Sequence, residues 1–285
     1  VARTVIAVAS GKGGTGKTTV AANLARVAAG NGSGVTYLDC DVEEPNGHIF
    51  LKPAITSEHT VFIPVPVVDA DGCSACGRCA AICRFSAIAV LGRRVVTFPN
   101  LCHGCGGCVR VCPTGAITEI PRAVGAVETG DADGIRFVQG RMDIGEAMAP
   151  PVIRAVKTKL PEEGLAVMDS PPGTSCPVIQ TVRGADYVLL VTEPTPFGLH
   201  DLTLAVEMLR ALSQPFGVVV NRAGSGDSRV HDYCRAERIE LLAEIPDDRR
   251  VAEAYSRGSL AVDAVPGFDR LFETLLHRVL ARSRT

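Results

Sequence analysis

One stretch constrains the fold more than any other: Gly11-Lys12-Gly13-Gly14-Thr15-Gly16-Lys17-Thr18-Thr19 follows an apolar run, Val5 to Ala9, and opens a helix-like segment. Strand, glycine-rich loop and helix in that order make an anion cradle. Glycines at 11, 13, 14 and 16 let several backbone N–H groups turn toward one point, and the helix adds its positive N-terminal end. The pattern G-x-x-x-x-G-K-[ST] predicts a triphosphate of the ATP kind, with Lys17 reaching the β- and γ-phosphates and the Thr18 hydroxyl ligating Mg²⁺.

The chain has 285 residues, enough for one large α/β domain or two smaller ones, and its 46% apolar and 21% charged residues suit a soluble globular protein. A formal charge of −2 offers no argument for nucleic acid as a partner. No apolar run approaches the roughly 20 residues of a membrane span, and no basic segment leads a long apolar stretch at the N-terminus, so the expected compartment is the cytoplasm. Eleven cysteines are many for such a reducing compartment, where disulfides explain them poorly. Eight lie between Cys73 and Cys112, which points to metal ligation. Cys40, Cys176 and Cys234 are dispersed.

Apolar periodicity predicts a first helix from Gly16 to Ala29, stopped by Asn31-Gly-Ser-Gly. A strand from Val35 to Asp39 then delivers Asp39, Asp41, Glu43 and Glu44 to a strand C-terminus, where open α/β sheets bind ligands. Glu43 and Glu44 read as surface charges. Residues 52 to 68, with three prolines and no helical period, read as a connection. Short apolar pieces, Ala87 to Leu91, Val95 to Phe98 and Ala116 to Ile120, punctuate the cysteine-rich region. Beyond Pro121, Val124 to Glu128 and Ile135 to Gly140 read as paired strands across a turn, and Ile144 to Lys159 as a helix that restarts at Pro150-Pro151. Leu165 to Asp169 reads as a buried strand ending in an acid. Further strands are predicted at Tyr187 to Thr192, Phe216 to Asn221 and Leu241 to Ile245. Helices are predicted from Leu199 to Leu212 and Phe268 to Arg282, the last expected to pack on the sheet rather than lie on a membrane.

Lys12 inside K-G-G-T-G-K-T-T resembles the deviant Walker A signature of the MinD/ParA/nitrogenase-iron-protein class of ATPases. That resemblance implies a homodimer in which Lys12 reaches the partner's nucleotide. It also implies that Asp41 positions or deprotonates the attacking water near Mg²⁺, and that Asn221-Arg222 reads adenine. The segment Asp169-Ser170-Pro171-Pro172-Gly173-Thr174 resembles the Walker B and switch II segment of the Mrp-type branch, which implies that Asp169 holds Mg²⁺ and the Gly173 N–H senses the γ-phosphate. The nitrogenase iron protein carries a cluster-ligating cysteine shortly after this glycine, so Cys176 could meet its mate at a dimer axis, or serve as a small buried hydrophobe. Mrp-type carriers bridge a cluster with a C-x-x-C in their C-terminal half, and this chain has no such pair outside residues 73 to 112.

Within that region, Cys73-x-x-Cys76-x-x-Cys79-x-x-x-Cys83 is repeated as Cys102-x-x-Cys105-x-x-Cys108-x-x-x-Cys112-Pro113. The tandem resembles a bacterial ferredoxin, in which each run gives three thiolates to one [4Fe-4S] cube and its fourth to the other. That implies Cys73, Cys76, Cys79 and Cys112 around one cluster and Cys83, Cys102, Cys105 and Cys108 around the second. Structural zinc is the alternative, though its pairs usually stand farther apart. Arg84 stands where the second run has Pro113.

The resemblances together imply an α/β fold: a doubly wound, mostly parallel P-loop NTPase sheet over residues 1–60 and 121–285, with a small α+β ferredoxin-like domain inserted over 61–120. The group they point to, MinD/Mrp-type ATPases with a ferredoxin insert, implies ATP hydrolysis coupled to electron transfer or metallocluster assembly on a partner protein. A MinD/ParA-like positioning switch with structural or sensory clusters is the alternative. An amidotransferase of cobyrinic acid a,c-diamide type ranks last, for want of a glutaminase segment.

Overall fold

The computed structural model describes residues 3–32 and 34–283; Ser33, inside the predicted stop of the first helix, lies outside the described residues. In chain order the first elements are β1 (Thr4–Ala9), α1 (Lys17–Gly30), β2 (Val35–Asp39), α2 (Gly47–Leu51) and β3 (Ala54–Val68). The cysteine-rich stretch holds α3 (Arg78–Ile82), β4 (Ile88–Leu91), β5 (Arg94–Thr97) and α4 (Gly107–Arg110). There follow β6 (Ile117–Ala132), β7 (Ile135–Met142), α5 (Pro150–Lys157), β8 (Leu165–Asp169), α6 (Cys176–Val182) and β9 (Tyr187–Thr192). The chain continues with α7 (Pro196–Ala211), β10 (Phe216–Ala223), α8 (Arg229–Ala236), β11 (Leu241–Pro246), α9 (Arg249–Ser256), α10 (Ala261–Ala264) and α11 (Phe268–Arg282).

Nine strands form one sheet in the order β11-β10-β9-β1-β8-β2-β7-β6-β3. The pairs from β11 through β7 are parallel. Parallel strands buried on both faces read as unbroken apolar runs, and β1, β8 and β9 do so. Alternate residues serve the two faces. Ile6, Val8, Val35, Tyr37, Val167 and Leu189 join the cluster built with α1, α10 and α11, while Val5, Ala7, Leu38, Ala166 and Leu190 are equally buried but outside it. In α11, Phe268, Phe272, Leu275, Leu276 and Val279 are buried in that cluster, each worth about 1.5–3 kcal/mol. The apolar stripe of this helix is therefore spent on the core, and among the described residues no helix is long and apolar enough to cross a membrane.

Three readings change. Residues 52–68 are no mere connection, since 54–68 form the long strand β3. It lies at the end of the sheet, the position where Pro64 and Pro66, which lack ladder N–H groups, are tolerated. The predicted helix from Ile144 starts only at Pro150, with both prolines in its first turn, where their missing N–H groups cost nothing. The apolar pieces at 116–120 and 124–128 are one strand, β6, which turns into β7 through Asp133-Gly134, both at positive φ (49° and 82°). The short α2 and α8 had no predicted counterpart.

The chain divides into two compact units. One takes the residues up to Glu58, Val127–Arg141 and those from Ile153 onward. The other takes His59–Ala126 and Met142–Val152, and its small core has Cys79, Ile88 and Ile117 at the centre with Cys83, Cys108 and Cys112 packed against them.

Candidate functional site

The sheet order places β1 between β9 and β8, with its successors on either side, so the loop after β1 opens at the topological switch point where such sheets bind ligands. Gly14 and Gly16 take positive φ (78° and 94°), and a Cβ on Gly16 would stand 2.4 Å from Asn221 Nδ2. Ser10 Oγ donates to Lys12 O at 2.5 Å and Asn221 Nδ2 donates to Thr15 O at 2.8 Å, which brace the loop from both ends. Helix α1 begins without a side-chain cap, leaving first-turn N–H groups for an anion. Thr15 is buried and its Oγ1 has no protein partner. Lys17, also buried, has its pKa lowered by desolvation, partly offset by Asp169 and Asp41.

Opposite the loop stand the carboxylates. Asp39 and Asp169 end neighbouring strands in direct register. Asp39 is fully buried and accepts from the N–H groups of Asp41 (3.1 Å), Asn46 (3.1 Å) and Gly47 (2.9 Å), so it shapes the loop that carries Asp41. Asp169 accepts from the Tyr37 hydroxyl at 3.0 Å, while its Oδ1 has no protein partner. Burial raises the pKa of Asp39, and Asp169 beside it raises it further. Burial raises that of Asp169 too, opposed by its hydrogen bond with Thr18, by Lys17 and by Tyr37. Asp41 is pushed up to about 7 by burial and by Asp169, with Lys17 opposing. Glu43 and Glu44 are exposed.

An unpartnered buried carboxylate oxygen, an unpartnered hydroxyl and crowded acids relieved by positive charge fit a Mg-nucleotide. Among the described residues no three His, Cys, Asp or Glu side chains converge on the position of one single metal ion. Mg²⁺ usually needs only one or two carboxylates, filling its other positions with waters and phosphate oxygens.

Sequence reasoning missed Tyr37 and Glu193. Glu193, buried after β9, faces Lys12 Nζ at 3.7 Å and Arg222 at 2.8 Å. Lys12 is thus held within its own chain, and Arg222 adopts a left-handed backbone (φ 52°) beside the same acid. The Gly173 N–H donates to Ser10 O at 3.0 Å. Cys176 is exposed at the first position of α6. Neither Tyr37 nor Glu193 belongs to a local motif, and only the placement of their strands gives them meaning.

In the second unit the cysteines gather in two groups of four. Cys73, Cys76, Cys79 and Cys112 line one cavity. Cys83, Cys102, Cys105 and Cys108 line another. Each cavity takes three cysteines from one run and the fourth from the other. Backbone N–H groups point at the sulfurs: Ala75 to Cys73, Ala87 to Cys83 and Gly104 to Cys102, each at 3.4 Å. Such donors stabilise thiolate and help set the potential of iron–sulfur clusters. Burial raises the thiols of Cys79 and Cys108, whereas hydrogen bonds led by the Arg78 backbone lower Cys76 and those led by the Thr114 side chain lower Cys112.

A doubly wound sheet with a phosphate loop at its switch point, faced by strand-end aspartates, defines a P-loop nucleotide-binding protein. The family described as CobQ/CobB/MinD/ParA nucleotide binding domain matches residues 6–262, and the chain belongs to it. Similar proteins include an uncharacterised protein of Methanocaldococcus jannaschii, 34% identical over 77% of this chain and 78% of that one. An iron-sulfur cluster carrier protein of Pyrococcus horikoshii is 25% identical over 96% of this chain and 86% of its own. Among solved structures, the septum site-determining protein MinD of Pyrococcus horikoshii, complexed with Mg-ADP, shares the fold with a TM-score of 0.63 at 20% identity, covering 98% and 97% of the two chains.

Proposed function

We propose that this protein is an ATP-hydrolysing iron–sulfur protein, a nucleotide-gated homodimer that couples ATP binding and hydrolysis to electron transfer or metallocluster assembly on a partner protein. The observation that carries the reading is one chain with two sites. A phosphate loop faces strand-end aspartates in one unit, and eight cysteines sort into two cavities of four in the other. Iron-sulfur cluster carrier proteins among the relatives support it.

In this reading the loop amides and Lys17 grip the β- and γ-phosphates, so the chain's main contribution is positioning and electrostatic stabilisation. Thr18 and Asp169, with Asp41, would hold Mg²⁺, whose charge would offset that of the phosphate oxygens and of the crowded carboxyls. Asp41, half-buried, orients the attacking water. Asn221 reads adenine while bracing Thr15. Lys12 serves in trans, which requires it to leave Glu193; Gly173 must leave Ser10 before its N–H can sense a γ-phosphate. Those two internal contacts make the gate: each is replaced only when a triphosphate and a second protomer offer better partners.

Residues 61–120 are the two-cluster ferredoxin-like domain, Cys73, Cys76, Cys79 and Cys112 holding one [4Fe-4S] cluster and Cys83, Cys102, Cys105 and Cys108 the other. The clusters would supply one-electron carriers in a module whose own apolar core is small.

The test is anaerobic purification followed by iron, sulfide and zinc analysis, ATP-binding and ATPase assays, and light scattering with ATP and with ADP. About eight irons per chain, Mg-dependent hydrolysis and ATP-dependent dimers are expected. Zinc in place of iron, or about eight irons without nucleotide affinity, would overturn the reading.

A further inference from the structure

Helix α2 carries the far end of the loop on which Asp41 stands. Asp39 accepts from the N–H groups of Asp41, Asn46 and Gly47, so the loop and the first residue of α2 are fixed as one piece. A Cβ on Gly47 would stand 2.5 Å from the Tyr37 ring, so α2 starts against the tyrosine that supports Asp169. Five residues are too few for a helix to hold itself together, and what α2 packs on therefore decides where it lies.

Phe50 and Leu51 are buried in the cluster built with α1. Helix α2 also meets the end of α9. The rings of Phe50 and Tyr255 have centroids 4.8 Å apart and planes tilted by 40°. Three residues on, Gly258 (φ 62°) donates back to Tyr255 O at 2.9 Å, and a Cβ there would stand 3.0 Å from Ile49 O. Tyr255 is 50% exposed and its hydroxyl has no partner among the described residues, so the ring is what this position supplies.

The other end of α9 stands beside the residues proposed to read adenine. The Asp247 N–H donates to Ala223 O at 3.1 Å, and Ala223 pairs with Pro246 across β10 and β11. The loop that opens α9 is thus tied to the strand end carrying Asn221 and Arg222, and Asn221 donates in turn to Thr15 O. Asp248 caps α9, its carboxylate accepting from the Arg250 N–H at 2.8 Å. The eight residues of this helix span about 12 Å, from the base end of the site to the helix that follows Asp41.

We infer that Tyr255 is a positioning residue for the hydrolytic step. An adenine held at Asn221 and Arg222 fixes the loop before α9, α9 carries that placement to Tyr255, and the ring sets α2 so that Asp41 faces the attacking water. The base thereby acts on turnover and not on binding alone. The inference rests on the proposed function and deepens it, naming a nucleoside triphosphatase that selects adenine through its rate.

The test is steady-state hydrolysis by the anaerobically purified full chain, with Mg·ATP and, as a substrate lacking base and sugar, Mg·tripolyphosphate. The wild-type kcat should be at least about fivefold higher with ATP, the factor one aromatic pair can transmit. In Y255A the kcat with ATP should fall about fivefold, KM should stay within about twofold, and the kcat with tripolyphosphate should hardly move, so that the ratio approaches one. Y255F keeps the ring and should behave as wild type. F50L should lower the ratio likewise, and F50L/Y255A should lower it no further than either change alone, as the two sides of one contact require. Equal losses with both substrates would mark Tyr255 as a brace indifferent to the base and overturn the inference. So would a wild-type ratio near one, an effect of Y255A confined to KM, or fully additive effects of the two changes. Urea midpoints are measured first, and Y255L, which retains apolar bulk without the ring, replaces Y255A if that variant fails to fold. A wild-type chain that hydrolyses neither substrate counts against the proposed function, whereas an active wild type whose variants depart from this pattern counts only against the role of Tyr255.

Discussion

Replacing Tyr37 with Phe isolates a single hydrogen bond at the centre of the nucleotide site. The hydroxyl donates to Asp169 at 3.0 Å, tyrosine and acid are both essentially inaccessible, and the ring stacks on Phe137 at 5.7 Å, a contact that Phe keeps. A hydrogen bond to a buried ionised partner is worth about 1.5–3 kcal/mol, and one to a neutral partner about 0.5–1.5. The bond favours the ionised carboxyl and so holds the pKa of Asp169 down against burial. Deleting it raises the folded-state pKa further above the unfolded value, so the variant's deficit grows as pH rises through that range. The expected loss is about 2 kcal/mol near pH 8 and about 1 kcal/mol near pH 5. Urea unfolding of nucleotide-free protein measures both, followed by helical circular dichroism because the chain has no tryptophan. A loss below about 0.5 kcal/mol at the higher pH, or equal losses at both, would refute the reasoning.

Other consequences follow from the same geometry. Asp41 is pushed up to about 7, with Asp39 and Asp169 also raised, so the nucleotide-free fold holds extra protons from about pH 4 to 7 and loses stability as pH rises through that window. Binding of Mg·ATP near pH 6.5 should therefore release protons, visible as a binding enthalpy that depends on buffer ionisation heat; buffer-independent enthalpy would contradict it. Glu193→Gln frees Lys12 from a partly exposed pair worth about 0.5–1 kcal/mol, so on the proposed nucleotide-gated dimer ATP-dependent dimerisation should strengthen about two- to fivefold, with light scattering as the readout and an unchanged midpoint as the contrary result. On the proposed cluster assignment, Cys112→Ser should remove about half the iron and spare the spectrum of the cluster at the second cavity, although Cys112 belongs to the second run. Loss of the other cluster's signal would reverse the assignment.

Much of the site was legible because its chemistry is local. Glycine spacing dictates the phosphate loop within nine residues, and the C-x-x-C-x-x-C-x-x-x-C runs dictate two groups of thiols. Strands β1, β8 and β9 were legible for the same reason, since burial on both faces leaves unbroken apolar runs. Strand β3 was not. Its prolines signal a loop until it is known to occupy a sheet edge, where a missing N–H has no neighbour to disappoint.

Sequence alone therefore determined the strand, glycine-rich loop and helix in their order, the two groups of four thiols and the α/β class, because those depend on residue type and on spacing along the chain. Only the tertiary structure decided that Tyr37 supports Asp169 and that Glu193 holds Lys12. Tyr37 and Asp169 stand on different strands 132 residues apart, Lys12 and Glu193 follow different strands 181 residues apart, and strand order and register are outcomes of packing the whole sheet. No local spacing records them.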